Sequence, residues 1–238
     1  MADDQPALPR HAATVVVTRP TPRGDDAEIF MVRRSAKSPF MPSTLVFPGG
    51  RLDPEDGSPQ QDDSWDRAAR RETAEEIGVA LDVDLLWFDT WLTPSAESRR
   101  RYLTRFYWAC IDRGAGEHAE ADGHETHEGR WATAATHLER WKAQEVDLPP
   151  PTLATLLRLA PLGLDAATSL RTLAPQDVIL PKVFAAQGAV QIVMPHDPEY
   201  AGLPGEAAPA PARAHSLPTR FSRLERVWTP VSQPSSSD

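Results

Sequence analysis

Short β-branched apolar runs recur through the first half of the chain and predict strands. Each run is bounded by a segment that contains proline, glycine or clustered charges, as strands in a sheet usually are. The predicted strands are Ala12–Thr18, Glu28–Arg33, Thr44–Phe47, a strand within Leu81–Leu92, and Tyr102–Ile111. The last two are predicted to pair as a hairpin, because a single basic connection, Thr93–Arg101, joins them.

One helical period interrupts these strands. Ala69, Thr73 and Ile77 recur at i, i+4 and i+8, which places them on one face of a helix as a small core-facing stripe. Ser64 is a reasonable N-cap, and Gly78 follows the last periodic residue as a C′ glycine does. The pattern therefore predicts a helix from about Ser64 to about Ile77.

The second half of the chain is predicted to be helical first and irregular later. From Pro195 the sequence becomes proline-rich, which is typical of an extended linker. We therefore expect one domain with a helical extension over residues 11–194, and a linker and tail with an edge strand over residues 195–238. The elements predicted here are helices at Ala134–Gln144, Thr152–Leu159 and Leu162–Leu173, a short strand within Asp177–Met194, a docked edge strand at Thr219–Trp228, and a disordered tail at Ser232–Asp238.

Composition narrows the class of protein. The chain has 238 residues, enough for a sizeable core, and a net charge of −9, which argues against nucleic-acid or anionic-membrane partners. The single cysteine, Cys110, excludes an internal disulfide and is expected to be a buried structural thiol. No apolar run is long enough to span a membrane, and the acidic N-terminus does not resemble a signal peptide. We expect a cytoplasmic enzyme; a homodimer is compatible with this sequence.

Three carboxylates cluster on the predicted helix. Glu72, Glu75 and Glu76 lie at i, i+3 and i+4 and so share one face, where like charges destabilise a bare helix. Most acidic helix faces are simply solvated. Here Arg71 lies beside the cluster and Gly78 ends the helix directly after it, features that a solvated face does not require. A bound hard divalent cation such as Mg²⁺ would compensate the repulsion.

This run resembles the signature of the Nudix hydrolases. That signature reads Gly, five residues, Glu, seven residues, Arg-Glu, an aliphatic residue, any residue, Glu-Glu, any residue, Gly and an aliphatic residue. The positions that match are Arg71, Glu72, Glu75, Glu76, Gly78 and Val79. Thr73 replaces the first aliphatic residue. The family glycine normally follows a strand as Pro-Gly-Gly, which is Pro48-Gly49-Gly50 in this chain.

Two glycines of this chain, Gly50 and Gly57, can be aligned with the first glycine of the signature. Gly50 lies 71 − 50 = 21 positions before Arg71, against 14 in the pattern, so the intervening loop would carry seven extra residues. Gly57 lies at the regular spacing and would put Asp63 at the first glutamate. We prefer Gly50 because it follows the apolar run that ends at Phe47. On either alignment a glutamate is missing from the first acidic position.

The resemblance implies a fold, a reaction and roles for residues. The fold is α+β, an α/β/α sandwich with a mixed central sheet. The reaction is hydrolysis of a pyrophosphate in a nucleotide-type small molecule, with Mg²⁺ or Mn²⁺. The metal ligands would be Glu72, Glu76, Glu75 and the backbone of Gly50; Glu75 would ligate a second ion or orient the attacking water, and Arg71 would hold a glutamate in place.

Other residues are less constrained by the pattern. The acidic, histidine-rich segment Gly114–Gly129 has no zinc-like spacing and is interpreted as a mobile loop. Many Nudix enzymes carry a late glutamate just before a strand with tryptophan. Glu128, in the run EGRW, matches that pattern best and is our candidate general base, with Glu125 as the alternative.

The substrate is suggested by a nearer resemblance. The run RSAKSPFMPSTLVFPGG, the long loop and the later PPPTL resemble a Nudix subgroup that hydrolyses coenzyme A and acyl-coenzyme A. Arg34, Lys37 and Arg105 are cations that could bind a 3′-phosphate or the pyrophosphate, although Arg105, among aromatic residues, could equally pair with a carboxylate or stack on a ring. The alternatives are another pyrophosphate of the same family's range (ADP-ribose, a dinucleotide or a nucleoside triphosphate) and a binding module without turnover.

Overall fold

A mixed β-sheet forms the centre of the molecule. The computed structural model describes residues 8–38, 41–95, 101–186, 188–224 and 227–231. The strands of this first sheet are β1 (Arg10–Pro20), β2 (Ala27–Arg34), β3 (Leu45–Val46), β4 (Gly49–Arg51), β5 (Leu86–Leu92), β6 (Tyr102–Cys110) and β7 (Thr126–Thr133). Its order is β3-β2-β1-β6-β5, with β4 paired to β1 and β7 to β2. β1 and β6 run parallel and the other pairs antiparallel, which confirms the predicted mixed sheet.

The sheet is buried on both faces because its central strands are apolar on both. Ala13, Val15 and Val17 of β1 point to one face and pack against helix α1 (Asp62–Ile77). Val16, between them, points to the other face. That face packs against α2 (Ala134–Lys142), α3 (Pro150–Leu159) and α4 (Ala166–Leu170). The α/β/α arrangement predicted from the resemblance is therefore confirmed.

The α1 helix begins earlier than its sequence suggested. Its N-cap is Gln61, and Ser64 lies inside the first turn, buried, with its hydroxyl accepting a hydrogen bond from Arg67 Nη2 at 3.2 Å. The Ser64 N-cap assignment was therefore wrong. Gly78 ends the helix with a φ of 69° and its N–H bonded to the Ala74 carbonyl, as predicted. Thr73 is fully buried and donates its hydroxyl to the Ala69 carbonyl at 2.7 Å, so a threonine satisfies this packing position.

Several other boundaries also shift. The segment Leu162–Leu173 is a 3₁₀ turn followed by the short α4 helix rather than one helix. Gly114–Gly129 is not one open loop, because a 3₁₀ turn begins it and β7 occupies its end. Cys110 is exposed rather than buried, and it is the last residue of β6.

The chain after Leu180 folds into a second sheet instead of a linker. Strands β8 (Lys182–Ala186), β9 (Ala189–Val193), β10 (Arg220–Leu224) and β11 (Val227–Val231) form an antiparallel sheet in the order β11-β10-β9-β8. β10 is an inner strand, and its Phe221 is fully buried in the main core.

The prediction of an extended linker after Pro195 was wrong, because β9 and β10 pair directly across that segment. The predicted division at residue 195 falls inside this sheet. The predicted tail, Ser232–Asp238, lies outside the described residues.

No single helix among the described residues is long and apolar enough to cross a membrane. The pair Pro150–Leu159 and Gly163–Leu170 passes that test only when taken together, across a bend of 114°. Leu153, Ala154 and Leu156 of this pair are fully buried in the protein core.

Candidate active site

Arg71 is the centre of an ionic network on α1. Its Nη1 donates to Glu72 and to Glu75, each at 3.0 Å, and its Nη2 donates to the Arg51 carbonyl at 2.9 Å. Asp56 receives both Nε, at 3.1 Å, and Nη2, at 2.8 Å. These carboxylates raise the pKa of Arg71 well above its usual range, so the guanidinium stays charged and fixes the surrounding side chains.

Asp56 has the supporting role that the sequence appeared to lack. It is only 4% exposed, and Arg71 holds the pKa of its carboxyl below the usual range even though burial acts in the opposite direction. Asp56 lies six residues after Gly50, the place where the family pattern has its first glutamate. A shorter acid therefore occupies that position. The extra residues of the loop follow Asp56, where sequence spacing alone did not separate insertion from signature.

Gly50 lies against the carboxylate of Glu72. A Cβ atom at Gly50 would come within 2.3 Å of the Glu72 carboxyl carbon. Gly57 instead lies near Ser64 and Arg67, away from the glutamates. This geometry supports our choice of Gly50, since only a residue without a side chain leaves room for Glu72 here.

Glu76 is the most buried of the three glutamates, at 7% exposure. Its Oε2 accepts a hydrogen bond from the Gly49 N–H at 2.9 Å. Burial raises its pKa to about 7, and the nearby Glu72 acts in the same direction. Burial likewise raises the pKa of Glu72, partly offset by Arg71. Two adjacent carboxylates are thus held where their negative charges lack full compensation.

The donor set suits a hard divalent cation. Glu72, Glu75 and Glu76 supply carboxylate oxygens, and the space kept open at Gly50 borders Glu72. Within the described ranges, no three such side chains are already arranged around a common metal position. The reason is visible in the contacts: Arg71 holds Glu72 and Glu75, whereas Glu76 faces Gly49. Binding one ion with all three carboxylates would require these side chains to change conformation.

The glutamates open into a cavity of about 910 Å³. Arg34, the last residue of β2, and Lys37, on the loop that follows, line it. Arg34 donates to the Ser38 hydroxyl at 3.1 Å. Its charge is close enough to Glu76 to offset part of the rise in pKa that burial causes there. Cations and carboxylates therefore share one end of the cavity, an arrangement suited to a phosphate bridged to a metal.

Arg105 lies elsewhere, and the structure does not place it near the predicted site. On β6, Thr104 and Phe106 face the cavity, so the alternation of a strand turns Arg105 to the opposite face. There its guanidinium stacks between Trp65 and Trp87, with centroid distances of 4.4 and 3.9 Å. It also pairs with Asp62 at 2.8 Å. Arg105 therefore stacks on aromatic rings and pairs with a carboxylate, which is one of the two roles that the sequence had left open for it.

Glu128 does not line the cavity. It has a φ of 53° and an exposed side chain paired with Arg33 at 2.9 Å, and that pairing lowers its pKa. A carboxylate with a lowered pKa is a weaker base. Glu125 does line the cavity, and its charge raises the pKa of Glu76. Glu125 precedes the first residue of β7, and Glu128 lies at an irregularity in the pairing of β7 with β2, so the sequence did not show which glutamate faces the cavity.

A family model agrees with this arrangement. The model of the NUDIX domain matches residues 8–150, which include β1 to β7, α1 and α2. A crystal structure of a NUDIX hydrolase from Alicyclobacillus acidocaldarius superposes with a TM-score of 0.60 at 25% identity, covering 71% of this chain and 99% of that one.

Two curated proteins share sequence with the chain. It is 29% identical over 182 residues to a Gallus gallus protein named acyl-coenzyme A diphosphatase NUDT19, covering 71% of this chain and 47% of that protein. It is 28% identical over 187 residues to putative nudix hydrolase 7 of Caenorhabditis elegans, covering 63% of this chain and 60% of that protein. The chain thus spans about half the length of the curated relatives it matches.

Proposed function

The chain belongs to the Nudix family, and from this premise we propose that it hydrolyses the pyrophosphate of a coenzyme A derivative with the help of a divalent metal ion. The observation that carries the proposal is the pairing of an Arg71-organised carboxylate cluster with Arg34 and Lys37 at one end of a large cavity. The similarity to an acyl-coenzyme A diphosphatase supports the choice of substrate class.

The proposed reaction is attack of water on one phosphorus of the pyrophosphate. A P–O bond forms to the water oxygen, the bond to the bridging oxygen breaks, and the products are 4′-phosphopantetheine, acylated or free, and adenosine 3′,5′-bisphosphate. Glu72, Glu75 and Glu76 would hold the ion, which when bound neutralises phosphate charge and orients the phosphates. We propose Mg²⁺ or Mn²⁺ as that ion.

The chain's own residues supply position and proton transfer. Arg71, fixed by Asp56, orients Glu72 and Glu75. Gly49 fixes Glu76 through its N–H. For the general base we now propose Glu125 in place of Glu128, because Glu125 lines the cavity and could accept the proton of the attacking water.

Arg34 and Lys37 are proposed to bind the 3′-phosphate or the pyrophosphate. A charge-assisted hydrogen bond to a phosphate contributes about 1.5–3 kcal/mol. The parent enzyme should therefore prefer coenzyme A over dephospho-coenzyme A by roughly tenfold or more in kcat/KM. Arg34→Ala should reduce that preference and leave dephospho-coenzyme A turnover nearly unchanged if the contact is to the 3′-phosphate.

Arg105→Ala is the matched control, because Arg105 lies on the other face of the sheet. It should leave the preference unchanged. Equal kcat/KM for coenzyme A and dephospho-coenzyme A in the parent would show that the protein does not recognise the 3′-phosphate. Faster turnover of ADP-ribose, a dinucleotide or a nucleoside triphosphate would replace coenzyme A as the substrate, and no turnover of any pyrophosphate with Mg²⁺ or Mn²⁺ would favour a binding module.

A further inference from the structure

The cavity has an uncharged end, distant from the glutamates. Every charged side chain that lines it comes from α1, the Arg34–Lys37 loop, the β4 turn or the Asp122–Glu125 segment. The lining from β5, β6 and the chain of the second sheet carries no charge. This part of the lining consists of Trp91, Leu92, Thr93, Pro94, Tyr102, Thr104, Phe106, Pro181 and Ile192. We call it the apolar lobe.

The sheet register separates the two ends. Arg51 on β4 is opposite Ala12, Ala12 is opposite Thr104, and Thr104 is opposite Trp91. Neighbouring strands lie about 4.8 Å apart, so this row of side chains runs roughly 14 Å from the β4 turn to β5. Trp91 is bridged in turn to Ile179, just before Pro181. A ligand bound at α1 must therefore extend along the sheet to reach the lobe.

The far wall of the lobe comes from outside the region that the family model matches. That region ends at residue 150, whereas Pro181 and Ile192 belong to the chain that forms the second sheet. Ile192 on β9 is 2% exposed and belongs to the same buried cluster as Trp91 and Phe106. The second sheet thus contributes directly to the cavity in addition to covering the core.

We infer that the apolar lobe receives an apolar tail, the acyl chain, of the substrate, and that Ile192 and Leu92 determine the length of tail accepted. The inference rests on the proposed function for the position of the pyrophosphate. An uncharged wall penalises a second charged group at this end and rewards apolar surface. The second sheet is thereby a specificity element of the enzyme.

The test measures kcat/KM along a series of coenzyme A thioesters from acetyl to hexadecanoyl. The parent should favour a long chain over acetyl-coenzyme A by on the order of tenfold or more, because each buried methylene adds to binding. Ile192→Trp should remove this advantage and leave unacylated coenzyme A turnover close to the parent's. Ile192→Ala should move the optimum to longer chains.

The control is Val190→Trp, since Val190 lies on the same strand but is 42% exposed and outside the cavity lining. It should leave the chain-length profile unchanged. Leu92→Trp is a second way to fill the lobe if Ile192→Trp does not fold. A flat profile in the parent, or equal losses for all thioesters in both variants, would overturn the inference.

A binding assay separates this inference from the proposed function. S-dodecanoyl-pantetheine carries the tail without the pyrophosphate, and its binding can be followed by calorimetry. Binding to the parent that weakens in Ile192→Trp would support the lobe even if no coenzyme A ester were hydrolysed. Absence of binding to the parent would reject the lobe even if unacylated coenzyme A were a good substrate.

Discussion

At the scale of single residues, the face on which a charged side chain lies decides whether it can act at the site: Glu72, Glu75 and Glu76 line the cavity, whereas Arg105 and Glu128 do not. Glu72, Glu75 and Glu76 follow from helical periodicity alone, and α1 has them where the spacing requires. Arg105 and Glu128 depended on the register of β6 and β7. A shift of one residue in a strand reverses the face of a side chain. Asp56 was missed, although it lies six residues after Gly50, because an aspartate replaces the glutamate of the pattern and its contact with Arg71 spans 15 positions of loop and helix.

Replacing Glu76 with glutamine tests the proposed metal site. The amide keeps the shape of the side chain and can still accept a hydrogen bond from Gly49, but it removes a ligand charge. We expect turnover to fall by orders of magnitude while Tm without metal stays the same or rises, because a buried charge is lost. Glu139→Gln, on the exposed face of α2, is the control. Parent-like hydrolysis of every pyrophosphate by Glu76→Gln would refute the site assignment.

His137 should make stability depend on pH. It is fully buried, its Nε2 contacts the Ile29 carbonyl at 3.1 Å, and burial, with Arg140 and Arg130 nearby, lowers its pKa to about 4. The unfolded state, with a pKa near 6.5, therefore binds the proton more readily. Stability is full above about pH 6.5 and falls as the pH drops towards 4, by on the order of 3 kcal/mol.

Denaturant unfolding between pH 4.5 and 7 measures this effect. His137→Gln should flatten the dependence, since glutamine does not titrate. His118→Gln, at an exposed position, should retain it. An unchanged slope in His137→Gln would show that other groups cause the loss of stability in acid.

At the scale of elements, the short β4 strand and its turn position the site. Gly49 has a φ of 146°, and a Cβ there would meet the Ala13 carbonyl oxygen at 2.3 Å. The apolar run before Pro48 predicted the strand Thr44–Phe47, and the structure confirms a shorter strand there, β3; Gly49 and Gly50 then begin a further strand, β4. The pairing of β4 with β1 was not predicted, because three residues carry too little pattern to identify a strand.

Alanine at the two competing glycines should have separable effects. Gly50→Ala should reduce kcat strongly with a modest change in Tm, because the added Cβ displaces Glu72 while the backbone remains allowed. For Gly57→Ala, the φ of 110° and the contact of a Cβ with Ser64 Oγ at 2.7 Å predict a loss of stability.

Activity per folded molecule and Tm, measured together, decide whether Gly50 or Gly57 is the signature glycine. We expect Gly50→Ala to lose more kcat than Gly57→Ala, and Gly57→Ala to lose more Tm. The reverse ranking of the two activities would return the signature glycine to Gly57.

At the scale of the whole molecule, the sequence predicted the family fold and strands at the places of β9 and β10, but not that they belong to a second sheet. Strands β1, β2 and β6 have long β-branched or aromatic runs that are recognisable without context. β8 to β11 are five residues each and stand among prolines and charges, so their pairing depends on contacts with the rest of the protein. The proline content after Pro195 predicted a linker wrongly, because it indicates how stiff the chain is locally and does not indicate whether the segment is buried against the rest of the protein.

A buried ion pair joins the late segment to the catalytic domain. Asp89 on β5 is 1% exposed and accepts Arg213 Nε at 2.8 Å and Arg158 Nη1 at 3.1 Å. Arg213 also donates to the Ala174 carbonyl at 2.6 Å. Removing one partner of a buried pair leaves a charge without compensation and is strongly destabilising.

Arg213→Met should therefore lower the free energy of unfolding by on the order of 3 kcal/mol, with Arg158 retaining part of the compensation. Arg140→Met is the matched control, because its partner Glu145 is exposed and such pairs contribute about 0–1 kcal/mol. Deletion of residues 195–238 should be more severe, since it also removes β10 and β11 from a sheet whose Phe221 is buried in the main core. A truncated chain that unfolds cooperatively at the parent's Tm would show that residues 11–194 are an independent domain, as the sequence suggested, and that the second sheet is dispensable for folding.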